Sequence, residues 1–221
     1  SRQEPDTWGL GIEIIKDDGT VVPLSGRFAD YAENRNTGTA TSLAGIWVPR
    51  SEDFFGYVLS RRSLVLTEKG RQARQSFDLK KSSQAECIPY PPPVLMLYSA
   101  VNVIEVLNDR VLIHSEWMGG EREIQIRERG SDEVQIPALH GHSVGRWEDG
   151  VLVVETIGFT ENNSGTGTGF ISGLEKRMSE RFTLLEDGSG IDYSFTLEDP
   201  EYLAEPVSSG SRWDYRPDLE L

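Results

Sequence analysis

Cysteine, histidine and cationic residues are all scarce in this chain, and each shortage narrows what it does. A single cysteine, Cys87, excludes an internal disulfide framework. Twenty-two Lys and Arg face 36 Asp and Glu, for a formal net charge of −14. Phosphate-backbone affinity depends on clustered cations, so nucleic acid is not expected as a partner. No apolar run approaches the roughly 20 residues that a membrane-spanning helix needs, and no transmembrane segment is expected. There is no P-loop, no Gly-x-Gly-x-x-Gly between strand and helix, no Gly-x-Ser-x-Gly set at a strand-to-helix elbow and no Cys-x-x-Cys. These absences disfavour nucleotide cofactors and serine-hydrolase chemistry, and no cofactor is implied. The chain opens on Ser1 rather than Met, a start compatible with a secretory or lipoprotein leader removed ahead of it.

What is present is β-structure. The strongest signal runs from His142 to Thr156, where two β-rich segments flank Glu148-Asp149-Gly150, a tight hairpin turn whose glycine takes positive φ. Further β-like segments cover 101–107, 111–117, 122–127, 180–184 and 191–197, and their links carry Asn108-Asp109, Gly119-Gly120, Gly130 and Gly188 to Gly190. That spacing predicts an antiparallel up-and-down sheet curved into a barrel. Upstream, segments 11–15 and 21–24 form a small hairpin around Asp17-Asp18-Gly19-Thr20, and polar residues 26–42 read as a linker. Thr67 caps one short helix over 66–74, and 86–93, with four prolines in eight residues, is an extended connection. Segment 160–176 is too glycine-rich for a strand and too long for a tight turn, which reads as a mobile lid.

Two local patterns carry a resemblance. Gly45-Ile46-Trp47 resembles the Gly-x-Trp that opens the first strand of lipocalin-like barrels, where the tryptophan plugs the closed end. The wider order resembles a family of uncharacterised bacterial extracytoplasmic proteins: Ala44 to Trp47, the Leu-Thr-x-x-Gly-Arg of Leu66 to Arg71, Cys87-Ile88-Pro89, the Gly-His-Ser-x-Gly-Arg-Trp-Glu of Gly141 to Glu148, Glu180-Arg181-Phe182 and Asp199-Pro200. It spans roughly 43–206. The resemblance implies a β-barrel and an export signal, hence a periplasmic or otherwise extracytoplasmic setting, and transfers no reaction. The expected fold is all-β, an antiparallel lipocalin-like β-barrel with a small N-terminal hairpin and one short helix. Residues 1–42 form the hairpin and linker, 43–206 the barrel and 207–221 a C-terminal tail.

Within the hairpin motif His142 has two readings, a buried imidazole satisfied by a hydroxyl or carboxylate, and a proton-transfer group. An ordinary pKa near 6.5 suits the second at neutral pH. Hairpin register brings Glu155 or Thr156 near it. On the strand over 111–117, Leu112, His114 and Glu116 share one face and Ile113, Ser115 and Trp117 the other, and alternation leaves open which set faces inward. Arg122 follows Gly119-Gly120 and is placed to pair with Glu116. The expected catalytic set is His142, Glu116 and Glu155; the expected substrate-binding set is Arg122, His114, Thr156, Trp117 and Tyr98. His140 and His142 would share a strand face, with His114 completing a three-His zinc site. Their spacing fits known metal motifs poorly, so no metal is expected.

Two functions follow from a barrel with a small-molecule partner in its mouth. One is a cofactor-independent lyase or isomerase that moves a proton on a small hydrophobic, aromatic molecule. The other is a non-catalytic extracytoplasmic carrier or sensor of a small apolar ligand. A homodimer is compatible with either.

Overall fold

Nine strands, most of them alternating between inward and outward side chains, close a single barrel. The computed structural model describes residues 37–83, 85–127 and 136–221, together with the backbone of two short strands, β1 (Glu13–Ile15) and β2 (Val21–Pro23). These two pair antiparallel as the expected hairpin, whose Asp-Gly turn lies outside the described residues, as does Gly130. The barrel strands are β3 (Gly45–Pro49), β4 (Asn102–Val106), β5 (Arg110–Ser115), β6 (Gly120–Ile126), β7 (His142–Glu148), β8 (Val151–Ile157), β9 (Arg177–Leu184), β10 (Gly190–Glu198) and β11 (Val207–Tyr215). They close in the order β10-β11-β3-β4-β5-β6-β7-β8-β9. The lipocalin-like all-β barrel is thus the fold.

Four features depart from the sequence reading. One pair, β6 with β7, is parallel, so these two strands are not joined as a hairpin. Segment 207–215 is a full barrel strand, hydrogen-bonded to β10 and β3, so the barrel extends beyond residue 206 into the expected tail. Helix is also more frequent than the one element over 66–74. That helix is α2 (Glu68–Gln75), capped as expected by Thr67, which accepts from Gly70 N at 3.0 Å. It is preceded by α1 (Ser51–Ser60), and a buried single turn, α3 (Val94–Leu97), follows the proline run. Finally, 160–176 is folded on itself: Asn162 and Ser172 exchange backbone hydrogen bonds, and Ser164, Thr166 and Phe170 are buried.

The two ends of the barrel differ. Turns 107–109, 149–150 and 185–189 close one end tightly, the second being the expected Asp149-Gly150 hairpin with both residues at positive φ. The other end carries the connections 50–101 with the three helices, 158–176 and 199–206. The interior between them is filled. Trp47 and Trp213 are fully buried, Phe182 meets Trp213 edge-on at 5.9 Å, and Leu95 of α3 packs where a Cβ on Gly120 would stand 2.8 Å from it. No helix among the described residues is long and apolar enough to cross a membrane. Outward strand positions carry Glu121, Glu123, Arg146, Arg181 and Asp192, the reverse of a lipid-facing wall.

Trp47 anchors the strand at which the barrel closes. Its Nε1 donates to Leu43 O at 2.9 Å and its ring lies 4.8 Å from that of Tyr215. Trp47→Ala should therefore cost about 3–5 kcal/mol of unfolding free energy, read from urea denaturation. A loss below about 1 kcal/mol would mean that the indole carries no closure.

Candidate functional site

Polar side chains that face inward cluster toward the loop-covered end. Even-numbered positions of β6 and β8 point inward, which brings Arg122 and Thr156 inside together with Ser143 of β7, Glu180 of β9 and Tyr193 of β10. Glu180 is their centre. Its carboxylate accepts from Arg122 Nη1 at 2.8 Å, from Arg122 Nη2, from Tyr193 Oη at 2.9 Å and from Thr156 Oγ1 at 3.4 Å. Arg122 Nη2 also reaches Thr156 Oγ1 at 3.0 Å and Ser143 Oγ at 3.1 Å. Burial alone would lower the Arg122 guanidinium; the Glu180 carboxylate outweighs it and raises the pKa above its ordinary value. Burial, with Glu180 beside it, holds the Tyr193 phenol neutral, well above its usual range. Every partner is satisfied, so the arrangement ties strands together before it offers anything to a ligand.

A second set lies between this network and the loop. Lys176, 1% exposed at the start of β9, donates to Pro92 O at 2.5 Å and Gly165 O at 2.8 Å, with its Nζ 4.3 Å from the centre of the Phe159 ring. Burial pushes its ammonium down to about 7, against the pull of Asp199 and Glu180. Burial likewise raises the Asp199 carboxyl, which accepts from Gly173 N at 2.9 Å through Oδ2 while Oδ1 is sealed without a partner. His140 enters this set from the 136–141 segment. Its Nδ1 bonds to Glu121 O at 2.6 Å, its Nε2 is buried without a partner, and burial holds its pKa below the ordinary value, with Arg122 and Lys176 adding to the effect.

The outermost set is the underside of the loop. Arg61 lies against Gly167, where a Cβ would come within 1.7 Å of its Nη1; the +116° φ of that residue is a second reason for glycine there. Tyr57 Oη donates to Thr166 O at 3.0 Å, and Tyr90 and Thr168 join their hydroxyls at 2.7 Å. Thr166 Oγ1 and Ser172 Oγ are buried without partners. Sequence reasoning passed over Glu180, Lys176, Arg61 and Tyr193. The usable signal is a charged or hydroxylated residue at an inward position of a strand, which Glu180 and Tyr193 share with Arg122 and Thr156.

The remaining expected residues are elsewhere. His142 stands on the outer wall, half-buried, with Nε2 bonded to Ile136 O at 2.6 Å. The reason is local: Gly141, at φ +67°, breaks the alternation, so His140 and His142 do not share a strand face. Glu155 is also on the outer wall, in a shallow groove of about 580 Å³ with Arg146 and Arg181. His114 faces outward between Glu105 (3.2 Å) and Glu121 (3.7 Å). Glu116 accepts from Val101 N at 3.3 Å rather than pairing with Arg122. Tyr98 and Trp117 stack on one another at 3.8 Å, with Trp117 packed against the core. Residues 141 to 145 have Gly-x-Ser-x-Gly spacing, yet Ser143 sits within a strand and bonds to Arg122 and Thr156 with no imidazole beside it. Among the described residues no group of three His, Cys, Asp or Glu side chains is placed to hold a metal ion. Compared with models of known protein families and with curated proteins, the chain matches none.

Two outcomes test these charges. Glu180→Leu strands a buried guanidinium and should cost about 3–5 kcal/mol, while Arg122→Met with Glu180→Leu should recover most of that loss in denaturant titrations. Lys176 gives a pH signature. Its folded pKa, about 7, lies below its ordinary 10.5, so between those values the unfolded chain holds the extra proton and stability rises with pH. The wild type should gain up to about 1.4 kcal/mol per pH unit relative to Lys176→Met between roughly pH 7.5 and 10. Parallel pH profiles for the two proteins would show that Lys176 titrates as it does in water.

Proposed function

We infer that this chain is a small-molecule-binding barrel, a carrier or sensor, whose ligand is seated beneath 160–176 at the loop-covered end. The observation that carries this reading is the set of unpaired buried polar atoms gathered there: Arg61 Nε and Nη1, Thr166 Oγ1, Ser172 Oγ, His140 Nε2 and Asp199 Oδ1. Native interiors pair such atoms almost without exception, and a ligand supplies the partners that the fold withholds. The aromatic rings of Tyr57, Phe159 and Phe170 in the same region suit an apolar, aromatic body. Access requires the 160–176 segment to lift from Pro92 and Tyr57. An extracytoplasmic setting, implied by the family resemblance, fits a carrier.

A neutral aromatic fluorophore, N-phenyl-1-naphthylamine, should bind the full chain at one saturable site with Kd on the order of 1–100 μM. Phe170→Ala should weaken it about tenfold, and Ile157→Ala, on the exposed outer wall, should leave it unchanged. A titration that never saturates, or equal effects of the two substitutions, ends this reading.

A second reading keeps the chemistry of a cofactor-independent lyase or isomerase and moves it off His142. Lys176 favours it, because an amine brought to about 7 near Asp199 and His140 has the proton affinity such catalysis needs. Solvent deuterium exchange into a bound aromatic ketone, followed by NMR, should fall by about 10²-fold in Lys176→Met and persist in His142→Ala. Absence of exchange in the wild type leaves the carrier alone.

A further inference from the structure

Arg61, buried at the loop-covered end, has no carboxylate or hydrogen-bonded partner among the described residues. It is 7% exposed, and its Nε and Nη1 are sealed from solvent with no acceptor among the described residues. An uncompensated buried charge is among the most unfavourable things a fold retains. This chain has 36 carboxylate side chains to draw on, and none of the described ones stands beside Arg61. Its surroundings are aromatic and neutral: Cζ lies 5.2 Å from the centre of the Phe170 ring and 5.7 Å from that of Tyr57. What approaches the same Phe170 ring is a second cation, Arg74, at 4.3 Å.

The hydroxyls nearby do not resolve the imbalance. Tyr57 Oη is committed to Thr166 O and Tyr90 Oη to Thr168 Oγ1, while Thr166 Oγ1 is a further buried group without a partner. The bare Cα of Gly167 beside Nη1 keeps the guanidinium against backbone rather than against another side chain. A guanidinium, a free hydroxyl and two aromatic faces form a receptor for a planar anion, since Arg recognises carboxylates by charge-assisted hydrogen bonds and rings by stacking. A pillar that only had to fill space between Tyr57 and Phe170 would need no charge.

We propose, resting on the binding reading above, that the ligand seated beneath 160–176 is a small aromatic carboxylate whose counter-charge is Arg61. Benzoate and its neutral isostere benzamide are the probes, measured by calorimetric titration and thermal unfolding of the full chain at constant ionic strength set with chloride. Benzoate should bind one-to-one at least tenfold more tightly than benzamide and raise Tm. Arg61→Met should abolish that preference, and Arg110→Met, a cation at the tightly turned end, should retain it. Without ligand, Arg61→Met should melt at or above the wild-type temperature, because it removes an unpaired buried charge. Equal binding of benzoate and benzamide by the wild type overturns the proposal without reference to any variant, as does unchanged preference in Arg61→Met. If N-phenyl-1-naphthylamine binds while benzoate shows no preference, the anion assignment fails and the binding reading stands. If neither binds, both fail.

Discussion

The Glu180 carboxylate is the interaction on which this barrel turns. It sits on β9 and takes hydrogen bonds from β6 through Arg122, from β8 through Thr156 and from β10 through Tyr193, while Arg122 extends the network to Ser143 of β7. Five strands adjacent in the closed sheet are thereby fixed in register by one buried anion and its counter-ion. Packing alone tolerates sliding between apolar faces, whereas an unsatisfied carboxylate does not. The pair contributes little net stability against an apolar alternative. Its consequence is specificity: strands β6 to β10 meet the loop-covered end at one height, and the parallel join of β6 and β7, the irregular point of the sheet, is held where the guanidinium spans it.

From that layer outward the polar groups become progressively less satisfied. Glu180 and Arg122 are complete, Lys176 has two carbonyl acceptors in place of a carboxylate, and Arg61 has rings in place of any acceptor. The inner groups hold the frame; the outer ones lie under connections that are not part of the sheet.

The fold was legible because strands report themselves every second residue. The His142–Thr156 run, with Asp149-Gly150 between, specified its own hairpin, while the choice between Glu155 and Thr156 as the inward residue waited on register, which the structure resolves with Thr156 inside. Partners were not legible, because they are long-range. Glu180 lies 58 residues from Arg122 in the chain, and only barrel closure brings them together. His142 was preferred because His140 reads as the end of a loop and His142 as the first strand residue, yet the strand that starts at His142 turns Ser143 and Gly145 inward and His142 outward. α1 escaped notice because its helical face, Phe54 and Tyr57, is three residues apart within a segment of only ten.

The glycine-rich connection shows most clearly how site and fold are joined. Its composition suggests a free lid, yet it is pinned: Lys176 joins Gly165 O to Pro92 O, Tyr57 holds Thr166 O, and Asn163 reaches Lys81 O. Its glycines are needed because other groups occupy the places where side chains would go, the Arg61 guanidinium at Gly167 and the Ser172 hydroxyl at Gly165. Side-chain pairs add to these contacts, Tyr90 with Thr168 and Ser83 with Asn162. A connection built this way lies closed over Arg61 and Lys176, and its glycines are what that close packing requires.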